Sequence, residues 1–141
     1  MNLKDLVVRN VTGLHAAVFR ASNGRIGGRL FGMPTLILTT TGRKTGKRRA
    51  TMLTTPVVDG DRIVLVASYG GDPRDPKWLL NLRNDPDVEV TMNGRTQRMR
   101  ARIASPEEKE QLWPRVVAGY KGYGQYQRRT DRDIPLVLLE P

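Results

Sequence analysis

Between Gly42 and Arg49 the chain reads GRKTGKRR: five cations, two glycines and a threonine, with no carboxylate. Residues of these types bind anions. Glycines let backbone N–H groups come close to an oxyanion, and arginine forks grip phosphate or carboxylate oxygens in pairs. A charge-assisted hydrogen bond contributes about 1.5–3 kcal/mol, so two or three on a preorganised loop suffice for a small acidic ligand at micromolar strength. A nucleoside triphosphate loop does not fit. It needs four residues between its first glycine and the Gly-Lys pair, a Ser or Thr after that lysine, and a helix behind it. Here three residues separate Gly42 from Gly46, Arg48 follows Lys47, and a strand comes next. The competing account is a solvated basic hairpin turn, and the lack of any balancing acid favours anion binding over it.

A second set, Tyr120, Tyr123 and Tyr126 in GYKGYGQY, recurs at a spacing of three and six and so shares one side of a helical turn, which Gly119, Gly122 and Gly124 weaken. A row of phenols is a flat apolar surface with hydroxyl donors. It suits a planar ligand or proton delivery to a reduced product, and edge packing of a terminal segment explains the spacing equally well. A third set, Arg98, Arg100 and Arg102, alternates with Met99, Ala101 and Ile103, which puts the guanidinium groups on one strand face and the apolar side chains toward the core. Such a strand suits an oligonucleotide, but no aromatic residue interleaves to stack bases, and a solubilising surface is the simpler account. Cysteine is absent and His15 is the single histidine. Disulfides, thiolate nucleophiles and cysteine-ligated metal are excluded. No carboxylates cluster at a ligand spacing, so no metal is expected, and His15 reads as an ordinary helix residue.

These residues need a scaffold. With 141 residues, 38% hydrophobic and 27% charged, the chain has the size and composition of one soluble domain, and its formal charge is +10. That surplus attracts polyanions without choosing among nucleic acid, an anionic membrane and an acidic ligand. No apolar run approaches the roughly 20 residues that span a bilayer, and Asp5 and Arg9 interrupt the stretch a signal peptide would need. Leu3, Leu6, Val7, Val11, Leu14 and Val18 predict an N-terminal amphipathic helix within 1–22, followed by a glycine-rich loop. Strands are expected over TLILTT, TMLTTPVV, RIVLVAS, VEVTM, TQRMRARI and IPLVLLE, with turns at Asp59-Gly60-Asp61 and Asn93-Gly94. Asp75 and Pro76 read as N-cap and first turn of a helix over KWLLNLRN. Ser105 to Glu108 read as a capping box for KEQLWPRVVAGY, with a kink at Pro114. The expected fold is mainly β (α+β), a small barrel of about six mostly antiparallel strands with flanking helices, in a single domain over 1–141.

Three segments in register, TTTGRKTGKRR, VASYGGDPRDPKWLLNLRNDPDVEV and WPRVVAGYKGYGQYQRRTDRDIPLVLLEP, closely resemble the deazaflavin-dependent nitroreductase family, actinobacterial enzymes that use reduced coenzyme F420. The resemblance runs from about Gly24 to Pro141. It implies a split β-barrel of the flavin mononucleotide-binding type and hydride transfer to an activated acceptor: an enone or coumarin-type lactone, a quinone or a nitroaromatic. The implied cofactor is F420, an 8-hydroxy-5-deazaflavin with an acidic polyglutamate tail. By the same resemblance Arg43, Lys44, Thr45 and Arg49 hold the tail, and Thr51, Met52, Leu53 and Thr54 run under the deazaflavin. Val66, Ala67, Ser68 and Tyr69 form a strand end whose backbone and serine hydroxyl face the ring. Lys77, Trp78 and Asn81 belong to the helix beside the cofactor, and Tyr123 is a cofactor-side tyrosine. Tyr120 and Tyr126 correspond to substrate-pocket tyrosines, so Ser68, Tyr120 and Tyr126 are the candidate catalytic residues. Thr54 stands at or next to a position where the family's nitroreductase carries a tyrosine, which widens the pocket and removes a stacking ring. The implied partners are a small-molecule substrate and no nucleic acid, in a monomer or homodimer. The expected location is the cytoplasm, with a peripheral membrane contact of the first helix left open. A basic nucleic-acid-binding barrel is the alternative.

Overall fold

The computed structural model describes residues 29–30, 32–68, 71 and 74–141. Within them the order is β1 (Arg29–Leu30), β2 (Met33–Thr41), β3 (Arg48–Thr54), β4 (Val57–Asp59), β5 (Arg62–Val66), α1 (Lys77–Asn84), β6 (Asp87–Met92), β7 (Arg95–Ile103), α2 (Pro106–Gly119), α3 (Gly122–Arg129) and β8 (Leu136–Glu140). All pairings are antiparallel. The strands lie in the order β1-β2-β6-β7-β8-β5-β4, with β3 also paired to β2. The expected N-terminal helix and His15 lie outside the described residues. Among the described residues no helix is long and apolar enough to cross a membrane.

Two strands at opposite ends of this sheet, β3 and β4, are consecutive in the chain and are separated by Thr55 and Pro56. Thr55 is the joint. Its N–H donates to Pro34 O on β2 at 3.0 Å, and its hydroxyl proton is shared between Val64 O on β5 at 2.7 Å and Val57 O at 2.9 Å. One fully buried residue thus ties both ends of the sheet together, which makes the sheet a split barrel. Pro56 accounts for the break, because without an N–H it cannot extend a ladder. The single strand expected over TMLTTPVV is therefore two strands with different partners, and the strand count rises above six.

Alternation sorts the side chains into two cores. One face of the strands sends Leu36, Leu38, Ile63, Leu65, Val137 and Leu139 inward against Trp78, Leu79 and Leu82 of α1. The other face of β5 and β8 packs Val64, Val66, Leu136 and Leu138 on Leu112 and Val116 of α2 and Tyr123 of α3. Covered on both faces, β5 and β8 read as continuous apolar runs instead of alternating ones. Each such side chain, fully buried, contributes about 1.5–3 kcal/mol. On β7, Met99 and Ala101 face inward as expected, whereas Ile103 at the strand's end is 36% exposed.

Asp75 does not cap α1. Pro76 takes the N-cap position without a side-chain bond, and Asp75 instead accepts a hydrogen bond from Arg132 at 3.1 Å. The capping box of α2 is complete: Ser105 Oγ accepts from Glu108 N at 3.2 Å, and Glu108 Oε1 accepts from Ser105 N at 2.9 Å. The helix then continues through Pro114. Arg102 of β7 forks onto Glu108 at 2.7 and 2.8 Å and reaches Glu140 of β8 through Nε at 2.7 Å.

The Arg102 guanidinium, and after it the Ser105 N–H, hold the Glu108 carboxyl at about 2, against 4.5 for a free glutamate. A depressed carboxylate stabilises the fold fully above its unfolded value and loses that contribution as pH falls through its folded one. Both side chains are partly solvated, which limits the pair to about 0.5–1 kcal/mol. Urea midpoints of the wild type and Glu108→Gln should therefore differ at neutral pH and converge as pH drops from about 4.5 to about 2. A gap that stays constant over that interval would exclude the carboxylate as its source.

Candidate functional site

The basic stretch is the turn joining β2 to β3, whose register runs from Thr35↔Thr54 to Thr41↔Arg48. Its backbone is pinned from within. Gly42 N–H donates to Lys47 O and Gly46 N–H to Gly42 O, both at 2.8 Å, and Lys47 N–H donates to Thr45 Oγ1 at 3.2 Å. Gly46 has φ +70°, a region that disfavours L side chains, and a Cβ on Gly42 would lie 2.8 Å from Thr45 Oγ1. Asn81 of α1 pins the turn from below: its Oδ1 accepts from Arg43 N–H at 3.1 Å and its Nδ2 donates to Thr40 Oγ1 at 3.2 Å. Asn81 and Thr40 are buried while residues 43–50 are all exposed.

Of the five cations in this turn, Arg48 has a carboxylate partner, Glu89 at 3.9 Å; Arg43, Lys44, Lys47 and Arg49 have none among the described residues. On β7, Arg100 pairs with Asp87 at 3.7 Å and Arg102 serves two glutamates, while Arg95 and Arg98 have no carboxylate partner among the described residues. Four cations without a carboxylate partner thus lie within the seven residues from Arg43 to Arg49.

At the far end of β3, about six residue steps or roughly 20 Å away, Thr54 Oγ1 lies 3.3 Å from the Tyr123 hydroxyl, which also donates to Met33 Sδ at 3.7 Å. The three phenols converge although they do not share one helix. Tyr120 caps the end of α2, whereas Tyr123 and Tyr126 belong to α3. Their ring centroids stand 5.1 Å apart for Tyr120 and Tyr123, 6.2 Å for Tyr120 and Tyr126, and 6.1 Å for Tyr123 and Tyr126, all edge-to-face. Gly122 permits this approach, since a Cβ there would meet the Tyr120 ring at 2.6 Å.

The Tyr120 and Tyr126 hydroxyls are 3.3 Å apart. That hydrogen bond, with burial second, pushes the Tyr126 phenol up to about 12. Burial likewise raises Tyr123, against a lowering hydrogen bond from Thr54. Both rings are therefore neutral hydrogen-bond donors at physiological pH. They are suited to an acceptor oxygen that gains negative charge during a reaction.

Val66 ends β5, and Ala67 and Ser68 follow as buried residues beyond the ladder. Gly71, whose N–H donates to Ser68 O at 2.9 Å, lies against α3; a Cβ on it would be 3.0 Å from Tyr126 O. The structure thereby places the Ser68 turn beside the helix that carries Tyr126. Lys77 stands exposed in the first turn of α1, while Trp78 is 7% exposed and belongs to the interior cluster. Along β3, Leu53 packs on the interior cluster and Met52 on Ile37 of the opposite face; Thr51 and Thr54 are half-buried. Tyr69 lies outside the described residues.

Sequence reasoning missed three parts of this site: the Asn81–Thr40 bond beneath the turn, the Thr54–Tyr123 contact, and Arg132, whose guanidinium holds the Ser68 turn. Nothing in RRTDRD distinguishes Arg132 from its exposed neighbours Arg128 and Arg129. As a whole, the site matches a ligand with a flat head and a polyanionic tail: unpaired cations on a pinned turn at one end of β3, and neutral phenols at the other.

Comparison with known proteins bears on that ligand. The family model described as F420H2-dependent quinone reductase matches residues 11–141. An F420H2-dependent quinone reductase of Mycobacterium tuberculosis is 44% identical over 130 residues, which cover 89% of this chain and 87% of the relative. A solved structure described as an F420-H2 dependent reductase (FDR-A) superposes with a TM-score of 0.69 at 38% identity, covering 76% of this chain and 94% of that one. Another, described as a domain-swapped dimer, gives a TM-score of 0.70 at 34% identity, covering 89% of this chain and 98% of that one.

Proposed function

Because the chain belongs to the family of F420H2-dependent quinone reductases and is an F420-dependent oxidoreductase, we propose that it reduces a quinone at the phenol end of β3 while the basic turn holds the cofactor's tail. Bound F420H2 would supply a hydride and a proton, converting the quinone to its quinol and leaving oxidised F420. The chain's own contribution is orientation and charge stabilisation.

Arg43, Lys44, Thr45 and Arg49 would hold the acidic tail, with Lys47 adding to the field. Thr51 to Thr54, Val66 to Ser68 and Lys77 would bound the ring, and Asn81 would serve the cofactor at the other end by holding the turn. Tyr123, tied to Thr54, would close the cofactor side. The Tyr126 and Tyr120 hydroxyls and Ser68 would donate to the acceptor oxygen on which charge develops. With threonine at position 54 the acceptor space is wider than a tyrosine there would leave, which suits a quinone and extends to enones, coumarin-type lactones and nitroaromatics. The proposed unit is one domain acting as a monomer or a homodimer.

The observation that carries this reading is the unpaired charge of the pinned turn. The nucleic-acid alternative rests on Arg98, Arg100 and Arg102 of β7, of which Arg100 and Arg102 are occupied by carboxylates and Arg98 alone is not. F420 fluorescence titrated with the protein should be quenched, and F420H2 oxidation should be fastest with quinones in a panel that includes enones and nitroaromatics. No fluorescence change at tens of micromolar protein, together with single-stranded DNA binding of steep salt dependence, would replace this function with the alternative.

A further inference from the structure

Arg132 lies between α3 and β8 with a side chain 14% exposed. Its Nη1 donates to Ala67 O at 2.9 Å and to Asp75 Oδ1 at 3.1 Å, and its Nη2 donates to Ser68 O at 2.9 Å. In an extended strand successive carbonyls point to opposite sides. Here the two carbonyls converge on one guanidinium, so the chain turns out of the ladder directly after Val66, the last residue of β5 paired with β8.

Carbonyl dipoles aimed at one point repel each other. A planar cation between them reverses that repulsion, and Asp75 neutralises the cation below the surface. The turn is fixed on its other sides as well: Ala67 N–H donates to Pro135 O at 3.0 Å, and Ser68 O also accepts from Gly71 N–H at 2.9 Å. Arg132 is itself held by Gln127 of α3, whose Nε2 donates to Arg132 O at 2.8 Å and whose Oε1 accepts from Ile134 N–H at 3.0 Å. A trans peptide is planar, so an Ala67 carbonyl directed at Arg132 obliges the Ser68 N–H to point the opposite way. Among the described residues that N–H has no acceptor.

Resting on the reading above that the end of β5 faces the cofactor ring, we propose that Arg132, backed by Asp75, is a positioning residue for hydride transfer. It rotates the Ala67–Ser68 peptide so that Ser68 presents its N–H, and not the Ala67 carbonyl, to the ring. Arg132→Lys keeps the charge but loses the planar fork.

That variant should bind F420 within about threefold of the wild type, because the tail-binding turn is untouched, while the absorbance band of the bound cofactor moves toward that of free cofactor. Its kcat with a soluble benzoquinone should fall about 10–100-fold at an unchanged KM for the quinone, the scale of an ångström-level misplacement. Added guanidinium should restore part of the rate and the spectrum to Arg132→Ala. In the cofactor-free protein, the Ser68 amide resonance should shift in Arg132→Lys and, to a smaller extent, in Asp75→Asn. Asp75→Asn keeps the fork and remains informative if Arg132→Ala fails to fold. A folded Arg132→Lys with wild-type spectrum and kcat, or a Ser68 amide that neither variant moves, overturns the inference alone. Failure of the wild type to bind F420 overturns the functional reading and this inference together.

Discussion

Asn81→Ala should lower the unfolding free energy by about 1–3 kcal/mol and weaken F420 binding by roughly tenfold, although alanine leaves every cation in place. Asn81 uses both arms of its amide: Oδ1 for Arg43 N–H and Nδ2 for the Thr40 hydroxyl. Thr40 is 1% exposed, so water cannot replace the lost donor, and an orphaned buried hydroxyl costs about 1–3 kcal/mol. Arg43 is exposed, so its N–H finds water and adds little to that figure. The loss of affinity has a separate origin. Without its tether to α1, the turn must be ordered by the ligand, and that entropy is subtracted from binding. Asn81→Asp separates the two effects. A carboxylate still accepts from Arg43 N–H, and the Thr40 hydroxyl can rotate to donate to it, so stability should largely return. Affinity should not, because the new charge lies beneath an anion site. Denaturant midpoints and fluorescence titration of the two variants read both quantities; affinity that survives Asn81→Ala would mean that loop order plays no part in holding the tail.

Local patterns in the sequence were enough wherever one segment determined its own conformation. Asn93 and Gly94 adopt φ of 53° and 77°, as the two-residue hairpin signal requires. The Ser105–Glu108 box closes as its spacing demands. The basic turn falls between two strands of matched β character, and its glycines mark it. Legibility failed where a side chain's partner lies far along the chain. Asp75 sits before a proline and a helix, as an N-cap would, yet the carboxylate is drawn to Arg132, 57 residues away. TMLTTPVV has strand propensity throughout, but its partners change at Thr55, whose hydroxyl bonds Val64 O on another strand. The tyrosine spacing suggested one helical face; the chain instead turns between α2 and α3, and the rings meet through edge-to-face packing. These long-range bonds set the orientation of the site, whereas composition set only its chemistry.

The charge on that turn leads to the largest expected effect. Lys44→Glu with Arg49→Glu should weaken F420 binding at low salt by about 100-fold and flatten its salt dependence. The turn carries five cations, so two reversals take its formal charge from +5 to +1 and place carboxylates where the tail is proposed to dock. Each exposed contact contributes up to about 1 kcal/mol, and each reversal both removes an attraction and adds a repulsion of similar size. Together these give about 2–3 kcal/mol, or roughly two decades in affinity. Screening acts unequally on the two proteins. Raising ionic strength shortens the Debye length to about 8 Å at 0.15 M, which weakens the strong attraction of the wild type but has little left to screen in the variant. Wild-type affinity should therefore fall steeply with salt while the variant's falls little, so the two curves approach each other. Both substituted side chains are exposed and lack carboxylate partners among the described residues, so melting temperatures should differ little. That separates a lost ligand contact from a lost fold. Parallel salt curves for the two proteins would place the tail elsewhere on the barrel and leave the charge of the turn without a ligand.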